Sequence, residues 1–519
     1  MKKSETDETS YLLSQDSESS NSNINNVVTV NKWEVIPSLW TGAFLAALDG
    51  TIVTAIYPVI GGDFQQSDKA SWVATLYMLS SSALQPLYGG LSDMFGRKPM
   101  LLIANVIFLI GSFGCFLAQN ITQLFIARII AGVGGAGLGT LSSIIVSDMV
   151  SLRERGTYNG MANLVYGTGQ VVGAPIGGYL ADKVGWRYAF LIQCPITLIS
   201  IIVIHFRVKL PHHNKTVGWR DIDISGSIFL ITAITLILVA LQLATNQLPM
   251  KYPVLVFTGS LVSFFIVWRT ELKAKNPIIS IKVLTTRNPL LSGLTNFFGY
   301  MGYFAISFNL PLLLQVVYDE TASKAGSRLI TSIVAMCIGS LSAGYITRRT
   351  GNYYYVCLCG VGSEILGSLL STTFSDSTQG WQFQTYLFPS GLGHGLILSG
   401  TLMAIVSSIE KTDQARAISM SYLFRVLGGS FGITLTSIYN NFMVARVLSD
   451  KLSGVTNRNQ IITKVTKSVA EINSLPEPIR VIVKNSFALV IHRSFTCVVI
   501  IECLSMVFAS GIKQFSLDK

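Results

Sequence analysis

Among the charged or titratable residues that lie within otherwise apolar stretches of this sequence, we single out five: Asp49, Arg128, Glu364, His394 and Arg425. An ionised side chain in the hydrocarbon core of a bilayer is strongly disfavoured unless it is paired, hydrated or neutralised, and such residues mark ion or substrate pathways. Histidine also titrates close to neutral pH, which suits an acidic compartment. We therefore predict that these five side chains bind protons or substrate.

The composition places these residues in a membrane protein. Hydrophobic residues make up 50% of the 519 residues and charged residues only 13%, against about 25% charged residues in soluble chains. The apolar residues come in long blocks, which predicts an all-α polytopic membrane protein. The net charge of +11 is then explained by lysine and arginine in cytosolic loops, and nucleic-acid binding is not expected.

About fourteen apolar segments are long enough to cross a hydrocarbon core of roughly 30 Å. Basic residues concentrate in the even-numbered loops between them, so the positive-inside rule predicts that these loops and both termini are cytosolic. The segments lie near 36–60, 71–93, 99–118, 123–147, 158–182, 187–207, 223–243, 252–269, 289–317, 326–347, 353–373, 382–408, 416–440 and 486–512.

This topology places Asp49 and Arg128 at similar depths. At about 1.5 Å per residue, Asp49 lies roughly 20 Å from the cytosolic face, and Arg128 lies roughly 8 Å below the opposite face. Because arginine keeps its proton, Asp49 is the partner expected to titrate, and a movement that separates the two would release or capture a proton. A permanent structural ion pair is the alternative interpretation.

Glu364, His394 and Arg425 also fall near mid-membrane, each about 15 to 17 Å from the face at which its segment begins. A carboxylate, an imidazole and a guanidinium are all side chains that can bind protons or a charged substrate. For His394 the alternative is a hydrogen-bonded histidine that serves packing alone.

Two loops of the sequence are related. GGLSDMFGRK at 89–98 recurs as GYITRRTGNY at 344–353, with Gly96 aligned to Gly351. Such spaced similarity indicates two homologous halves. In this alignment Asp93 faces Arg348, so the charge is reversed in the second copy.

GGLSDMFGRK resembles the signature loop between the second and third helices of the major facilitator superfamily. Further segments are similar to motifs of its fourteen-span proton antiporters: LDGTIVTAIYP (48–58), LFIARIIAGVGGAG (124–137), GTGQVVGAPIGG (167–178) and GWRYAFLIQCP (185–195). Ala131 stands where the fourth-helix motif usually has glutamine. In the fifth-helix motif, Gly173-Ala174-Pro175 replaces the usual Gly-Pro. This replacement resembles the motif of the fungal vacuolar basic amino acid transporters.

The resemblance covers about residues 35–512 and implies the major facilitator fold, with two six-helix bundles and two inserted helices. A polar N-terminal tail is expected to be disordered. The expected divisions are a cytosolic tail (1–34), an N-terminal bundle (35–208), linkers with two inserted helices (209–284), a C-terminal bundle (285–513) with a luminal loop (441–485), and a cytosolic tail (514–519).

The resemblance also implies roles for residues outside the first five. His394 lies on a helix that usually lines the cavity, and Glu364 on one that is usually peripheral. Arg97 and Lys98 are expected to face anionic headgroups of membrane lipid. The loop that latches the two halves, or that only anchors the topology, holds Gly89, Asp93, Gly96, Arg97 and Lys98. The close-packed helix motif holds Gly169, Gly173, Pro175, Gly177 and Gly178. Polar candidates for the cavity wall are Gln85, Gln170, Asn309 and Gln315.

The N-terminal tail contains an acidic dileucine pattern, formed by Glu8, Leu12 and Leu13 within ETSYLL. Clathrin-type adaptors read such patterns when they send cargo to vacuoles or lysosomes. The pattern therefore predicts the vacuolar membrane, with the plasma membrane as the alternative.

Taken together, the motifs and the tail predict a proton-coupled antiporter that moves basic amino acids (lysine, arginine, histidine) into the vacuolar lumen. One alternative is a plasma-membrane exporter that exchanges drugs for protons, and another is a nutrient sensor that does not transport. No phosphate-binding loop and no Cys/His spacing typical of a metal site occurs in the sequence. We therefore expect no enzyme activity, cofactor or metal, and a monomer.

Overall fold

A computed structural model describes residues 32–517 except 67–68, 71, 209–223, 246–248, 273–280, 375–377, 454, 456, 468–471 and 473–474. Within these residues the regular structure is helical and contains no strand. The sorting residues Glu8, Leu12 and Leu13 lie outside the described part. The long helices are α1 (Lys32–Asp63), α2 (Trp72–Phe95), α3 (Arg97–Leu117), α4 (Ile121–Met149), α5 (Leu152–Lys183), α6 (Gln193–Arg207), α7 (Ile224–Thr245), α8 (Lys251–Glu271), α9 (Arg287–Val316), α10 (Ile330–Thr350), α11 (Tyr354–Ser371), α12 (Gly380–Ser407), α13 (Gln414–Lys451) and α14 (Glu477–Ser510).

Twelve of these helices are long and apolar enough to cross a membrane. The other two, α2 and α5, span 24 and 32 residues. They are long enough but more polar, and α5 carries charged residues in its first and last turns. The prediction of an all-α polytopic membrane protein is confirmed, and each of the predicted apolar segments corresponds to one of the fourteen long helices.

The helices pack in two groups with a separate pair. In the first group α1 packs on α5, and α4 packs on α2 and α3; in the second, α9 packs on α13 and α14, and α12 packs on α10 and α11. The two groups meet where α5 contacts α10 and where α2 contacts α13. Helices α7 and α8 pack on each other, and α7 contacts both α2 and α13.

Two aligned glycines end helices at the same end of the molecule. Gly96 follows α2 with a φ of 93°, and Gly351 follows α10 with a φ of 68°. A residue with a side chain is strained at such positive φ, so glycine is favoured at both turns. We call this end, which carries Arg97, Lys98 and Arg348, the basic end.

The glycines of GTGQVVGAPIGG bring α5 against α1. A Cβ atom on Gly173 would lie 2.0 Å from Thr51 Oγ1, and one on Gly169 would lie 2.7 Å from the carbonyl oxygen of Phe44. Gly177 meets the backbone of Ile52 in the same way. Gly178 faces open space and Pro175 is exposed, so only three members of the predicted packing motif form this contact.

Helices extend into the predicted luminal loop 441–485 from both sides. Helix α13 continues to Lys451, a further helix spans Arg458–Lys467, and α14 already begins at Glu477. The extension of α13 is stabilised because Val444 and Leu448 are buried in a hydrophobic cluster. The prediction ended the helix where continuous hydrophobicity ended, but an amphipathic helix needs only one apolar face.

Candidate transport site

Asp49 and Arg128 form a buried ion pair between α1 and α4. Nη1 of Arg128 donates to Asp49 Oδ1 at 2.9 Å and to Oδ2 at 2.8 Å. The two side chains are 0% and 1% exposed. The contact expected from their similar depths is therefore formed.

Groups from two more helices hold this pair in place. Nε2 of Gln193, the first residue of α6, donates to Asp49 Oδ1 at 3.2 Å. Nε of Arg128 donates to the carbonyl oxygen of Val73 on α2 at 3.0 Å, and the guanidinium lies 4.4 Å from the ring centre of Tyr77. Any movement of α1, α2, α4 or α6 relative to the others therefore disturbs the environment of the Asp49 carboxylate.

The second half of the chain holds another buried titratable pair. Oε1 of Glu364 on α11 lies 2.8 Å from Nδ1 of His394 on α12, and both residues are buried. The imidazole stacks on the ring of Tyr303 at 4.0 Å and meets the ring of Tyr300 edge-on at 4.4 Å. His394 thus links α11 to α9.

A third carboxylate, which the sequence analysis did not include, lies beside this pair. Glu502 on α14 is fully buried, and its Oε2 accepts a hydrogen bond from Ser368 Oγ at 2.5 Å. Gly302 of α9 makes room for it, because a Cβ atom there would lie 2.7 Å from Glu502 Oε1. Oε1 of Glu502 and Oε2 of Glu364 are buried without a hydrogen bond. Glu364, His394 and Glu502 therefore form one cluster of titratable side chains. The cluster lies where α11, α12 and α14 face α9.

Tyrosines from both helix groups lie near one another in the region between the groups, which we call the central space. Tyr166 on α5 is 40% exposed although it lies midway along its helix. It lies near Tyr77 on α2, Tyr300 on α9 and Tyr422 on α13. Arg425 lies at the edge of this space, with its guanidinium carbon 5.1 Å from the ring centre of Tyr422.

The predicted gating loop forms an ion-pair network at the basic end. Arg97 contacts Asp93 at 2.8 Å and Asp148 at 2.9 Å, and Arg416 of α13 lies 3.8 Å from Asp93. Lys98 donates to the carbonyl oxygen of His205. Both side chains thus contact protein oxygens, and their expected contact with lipid headgroups stays a prediction.

Close contacts join the two helix groups from the basic end toward the middle of α5. A Cβ atom on Gly89 would lie 2.0 Å from Ser419 Oγ, and one on Gly344 would lie 2.4 Å from the carbonyl oxygen of Gly156. Polar contacts reinforce them, namely Arg155 to Gln414 at 3.0 Å, Asn159 to Ser399 at 3.4 Å, and Asn163 to Ser340 at 2.7 Å. The basic end is therefore closed in this conformation.

The other polar candidates differ in position. Asn309 is fully buried and accepts a hydrogen bond from Asn440 at 2.5 Å, so it joins α9 to α13. Gln85 is partly exposed and its Oε1 makes no hydrogen bond. Gln170 and Gln315 are partly exposed. In the described residues no group of three or more His, Cys, Asp or Glu side chains could hold a metal ion.

At the opposite end of α1, Asp63 connects the helix to the segment before α6. The indole of Trp186 donates to Asp63 Oδ2 at 3.0 Å, and Arg187 lies 3.1 Å from the same atom. The hydrogen bond from Trp186 and the charge of Arg187 lower the pKa of the Asp63 carboxyl from its ordinary value of 3.8. This carboxylate therefore stays ionised in a moderately acidic medium.

Comparison with known proteins agrees with this architecture. Residues 39–433 match the family model described as Major Facilitator Superfamily. The chain aligns with the human organic anion transporter MFSD10 (TETRAN) at a TM-score of 0.61 and 13% identity, covering 92% of this chain and 99% of that one. At that identity the likeness concerns the fold alone.

Three curated relatives cover most of the chain. The multidrug resistance protein fnx1 of Schizosaccharomyces pombe is 36% identical over 94% of this chain and 94% of its own length. The vacuolar membrane amino acid uptake transporter fnx2 of the same organism is 37% identical over 95% and 86%. The vacuolar basic amino acid transporter 1 of Saccharomyces cerevisiae is 34% identical over 79% and 78%.

Proposed function

We propose that this chain, which belongs to the Major Facilitator Superfamily, is a proton-coupled antiporter that moves lysine, arginine and histidine across the vacuolar membrane into the lumen. The observation that carries the proposal is the buried pair of Asp49 and Arg128 at the junction of four helices. Such a pair is stable only while both charges stay together. Protonation of Asp49 removes the attraction and leaves α1 and α4 free to move apart.

The direction of transport follows from the compartment that we propose. The lumen of a vacuole is acidic, so protons flow outward to the cytosol and can drive substrate inward. A luminal proton would neutralise Asp49 and displace substrate into the lumen. Its release to the cytosol would restore the pair with Arg128. Glu364, His394 and Glu502 form a second cluster that can hold protons, on the opposite half of the molecule.

The closed basic end supports a gating role for Asp93. In the topology that we propose this end faces the cytosol, so the present conformation is closed to the cytosol. Asp93 and Arg416 lie on α2 and α13, which approach each other through Gly89 and Ser419. Opening this side requires these contacts to separate, and substrate then reaches the central space from the cytosol.

The substrate class is supported by the relatives and by the lining of the central space. Two of the relatives carry names that specify vacuolar amino acid transport. Tyrosine rings attract ammonium and guanidinium groups through their negative faces, and Tyr166, Tyr300 and Tyr422 come together here. We propose a monomer with both termini cytosolic, sorted by an adaptor that binds Leu12 and Leu13.

A second candidate function is export of cationic drugs in exchange for protons at the plasma membrane. The observation that favours it is the relative named a multidrug resistance protein, which aligns along 94% of this chain. An aromatic central space suits flat organic cations as well as amino acids.

The test is uptake of labelled lysine into proteoliposomes that contain the purified protein and have an acidic interior. We expect accumulation that a protonophore abolishes, and competition by arginine and histidine. Accumulation of a cationic drug without any competition by basic amino acids would favour the second candidate. Lysine accumulation that persists after the pH gradient is collapsed would refute the antiport mechanism.

A further inference from the structure

Arg425 is a buried cation in the first third of α13. Its side chain is 6% exposed, and its Nη2 donates to the carbonyl oxygen of Leu398 at 3.2 Å. Its Nε is buried and makes no hydrogen bond. Within the described residues no carboxylate forms an ion pair with Arg425, because Asp49 pairs with Arg128 and Glu364 with His394.

An unpaired guanidinium at this depth carries an uncompensated charge. Removing a charge from water without a partner is strongly unfavourable. Arg128, the buried arginine of the first helix group, has this compensation because it pairs with Asp49. Among the described residues, the groups found around the Arg425 guanidinium are a neutral carbonyl oxygen and two aromatic rings.

The guanidinium of Arg425 lies beside two of the tyrosines that define the central space. The guanidinium carbon lies 5.1 Å from the ring centre of Tyr422 and 6.0 Å from that of Tyr300. Both rings lie near Tyr166, which is 40% exposed. A planar guanidinium oriented by aromatic rings, with a free N–H, has the geometry that binds a carboxylate.

We propose that Arg425 binds the α-carboxylate of the amino acid substrate, with Nε–H as a donor to it. The cationic side chain of the substrate then extends among the tyrosine rings of the central space. This inference rests on the proposed function and makes it more specific. If Arg425 binds the α-carboxylate, substrates need that group for tight binding, and a diamine without it is a poor ligand.

The first test uses the wild-type protein and four compounds. Binding to the purified protein is measured as ligand-induced thermal stabilisation, with lysine, cadaverine (decarboxylated lysine), lysine methyl ester and arginine. We expect lysine and arginine to bind about 10- to 100-fold more tightly than cadaverine or the ester, the range for loss of a charge-assisted hydrogen bond. Equal affinity for lysine and cadaverine would overturn the assignment.

Substitutions of Arg425 then test whether this residue causes the preference for lysine over cadaverine. Arg425→Gln should weaken lysine binding about 10- to 100-fold and leave cadaverine binding unchanged. Arg425→Lys, which keeps the charge but loses the planar fork, should give a smaller loss for lysine alone. Arg446→Gln, which changes an exposed arginine of the same helix, is the matched control and should bind both compounds as the wild type does.

The outcomes separate the two proposals. If Arg425→Gln weakens lysine and cadaverine equally, Arg425 supports the site without recognising the carboxylate, and the inference is wrong. If the wild type accumulates lysine but does not discriminate against cadaverine, the inference fails while the proposed function stands. If the wild type accumulates neither lysine nor arginine, the proposed function itself fails.

Discussion

Replacing Arg128 with alanine is the perturbation whose energetic consequence the structure defines best. The change leaves Asp49 without its ion-pair partner in a site that is 0% exposed. Of the contacts to the carboxylate described above, the hydrogen bond from Gln193 at 3.2 Å remains. The folded variant must therefore either keep a buried, poorly compensated charge or take up a proton.

The cost of each alternative can be estimated. Stranding one charge of a buried pair costs about 3 to 5 kcal/mol. Protonating an aspartic acid with the reference pKa of about 3.9 costs roughly 4 kcal/mol at pH 7 and roughly 1.5 kcal/mol at pH 5. The folded variant then binds one proton more than the unfolded chain, so its stability relative to the wild type increases as the pH falls. Loss of the side chain itself adds a penalty that does not depend on pH.

The measurement is the free energy of unfolding of purified wild type and Arg128→Ala in detergent at pH 7 and pH 5. Because the folded variant adopts the less costly alternative at each pH, we expect the difference between the proteins to shrink by about 1.5 to 2.7 kcal/mol over these two pH units. Arg187→Ala removes the partner of the exposed carboxylate Asp63 and serves as the control, with a loss below about 1 kcal/mol. A penalty for Arg128→Ala that is equal at both pH values would refute this reasoning.

Three further predictions concern packing, gating and pH. Gly173→Ala should push α5 from α1 and destabilise the protein by about 1 to 3 kcal/mol, whereas Gly178→Ala, which meets open space, should change the unfolding free energy little. Asp93→Asn should loosen the closed basic end, seen as faster labelling of a cysteine placed in the central space; unchanged labelling would argue against a latch. The small stabilisation lost in Asp63→Asn should be constant from pH 7 to pH 5 and should disappear only as the pH falls below 3.8, through the lowered pKa of the folded state. If that stabilisation instead disappears between pH 7 and pH 5, the bond from Trp186 does not hold the carboxylate ionised.

The contact between Asp49 and Arg128 could be predicted because it depends on depth, and depth follows from counting residues along a helix. The same count placed Glu364 and His394 near mid-membrane, and the structure pairs them. The helices themselves were predictable because each must supply enough apolar residues to cross the bilayer.

What the sequence could not supply is the rotation of each helix about its axis. Glu502 lies in an apolar segment like that of Glu364, and only the packing of α14 on α11 and α9 brings the two carboxylates together. Gln193 belongs to the GWRYAFLIQCP motif, but its hydrogen bond to Asp49 depends on how α6 packs against α1. Tyr166 and Tyr300 were not singled out, because tyrosine is common in membrane helices and nothing local distinguishes a ring that faces a central space.

In the proposed mechanism substrate and protons move in opposite directions through the same carrier, and Asp49 is the proton-binding group. The direct measurement is the pH inside acid-loaded proteoliposomes, followed with a trapped dye as lysine is added outside. The account predicts that lysine raises the internal pH with the wild type and with Asp63→Asn, whose substitution lies at the far end of the same helix. It predicts no change with Asp49→Asn that elutes as folded protein. Lysine-dependent proton efflux by Asp49→Asn at the wild-type rate would contradict the account.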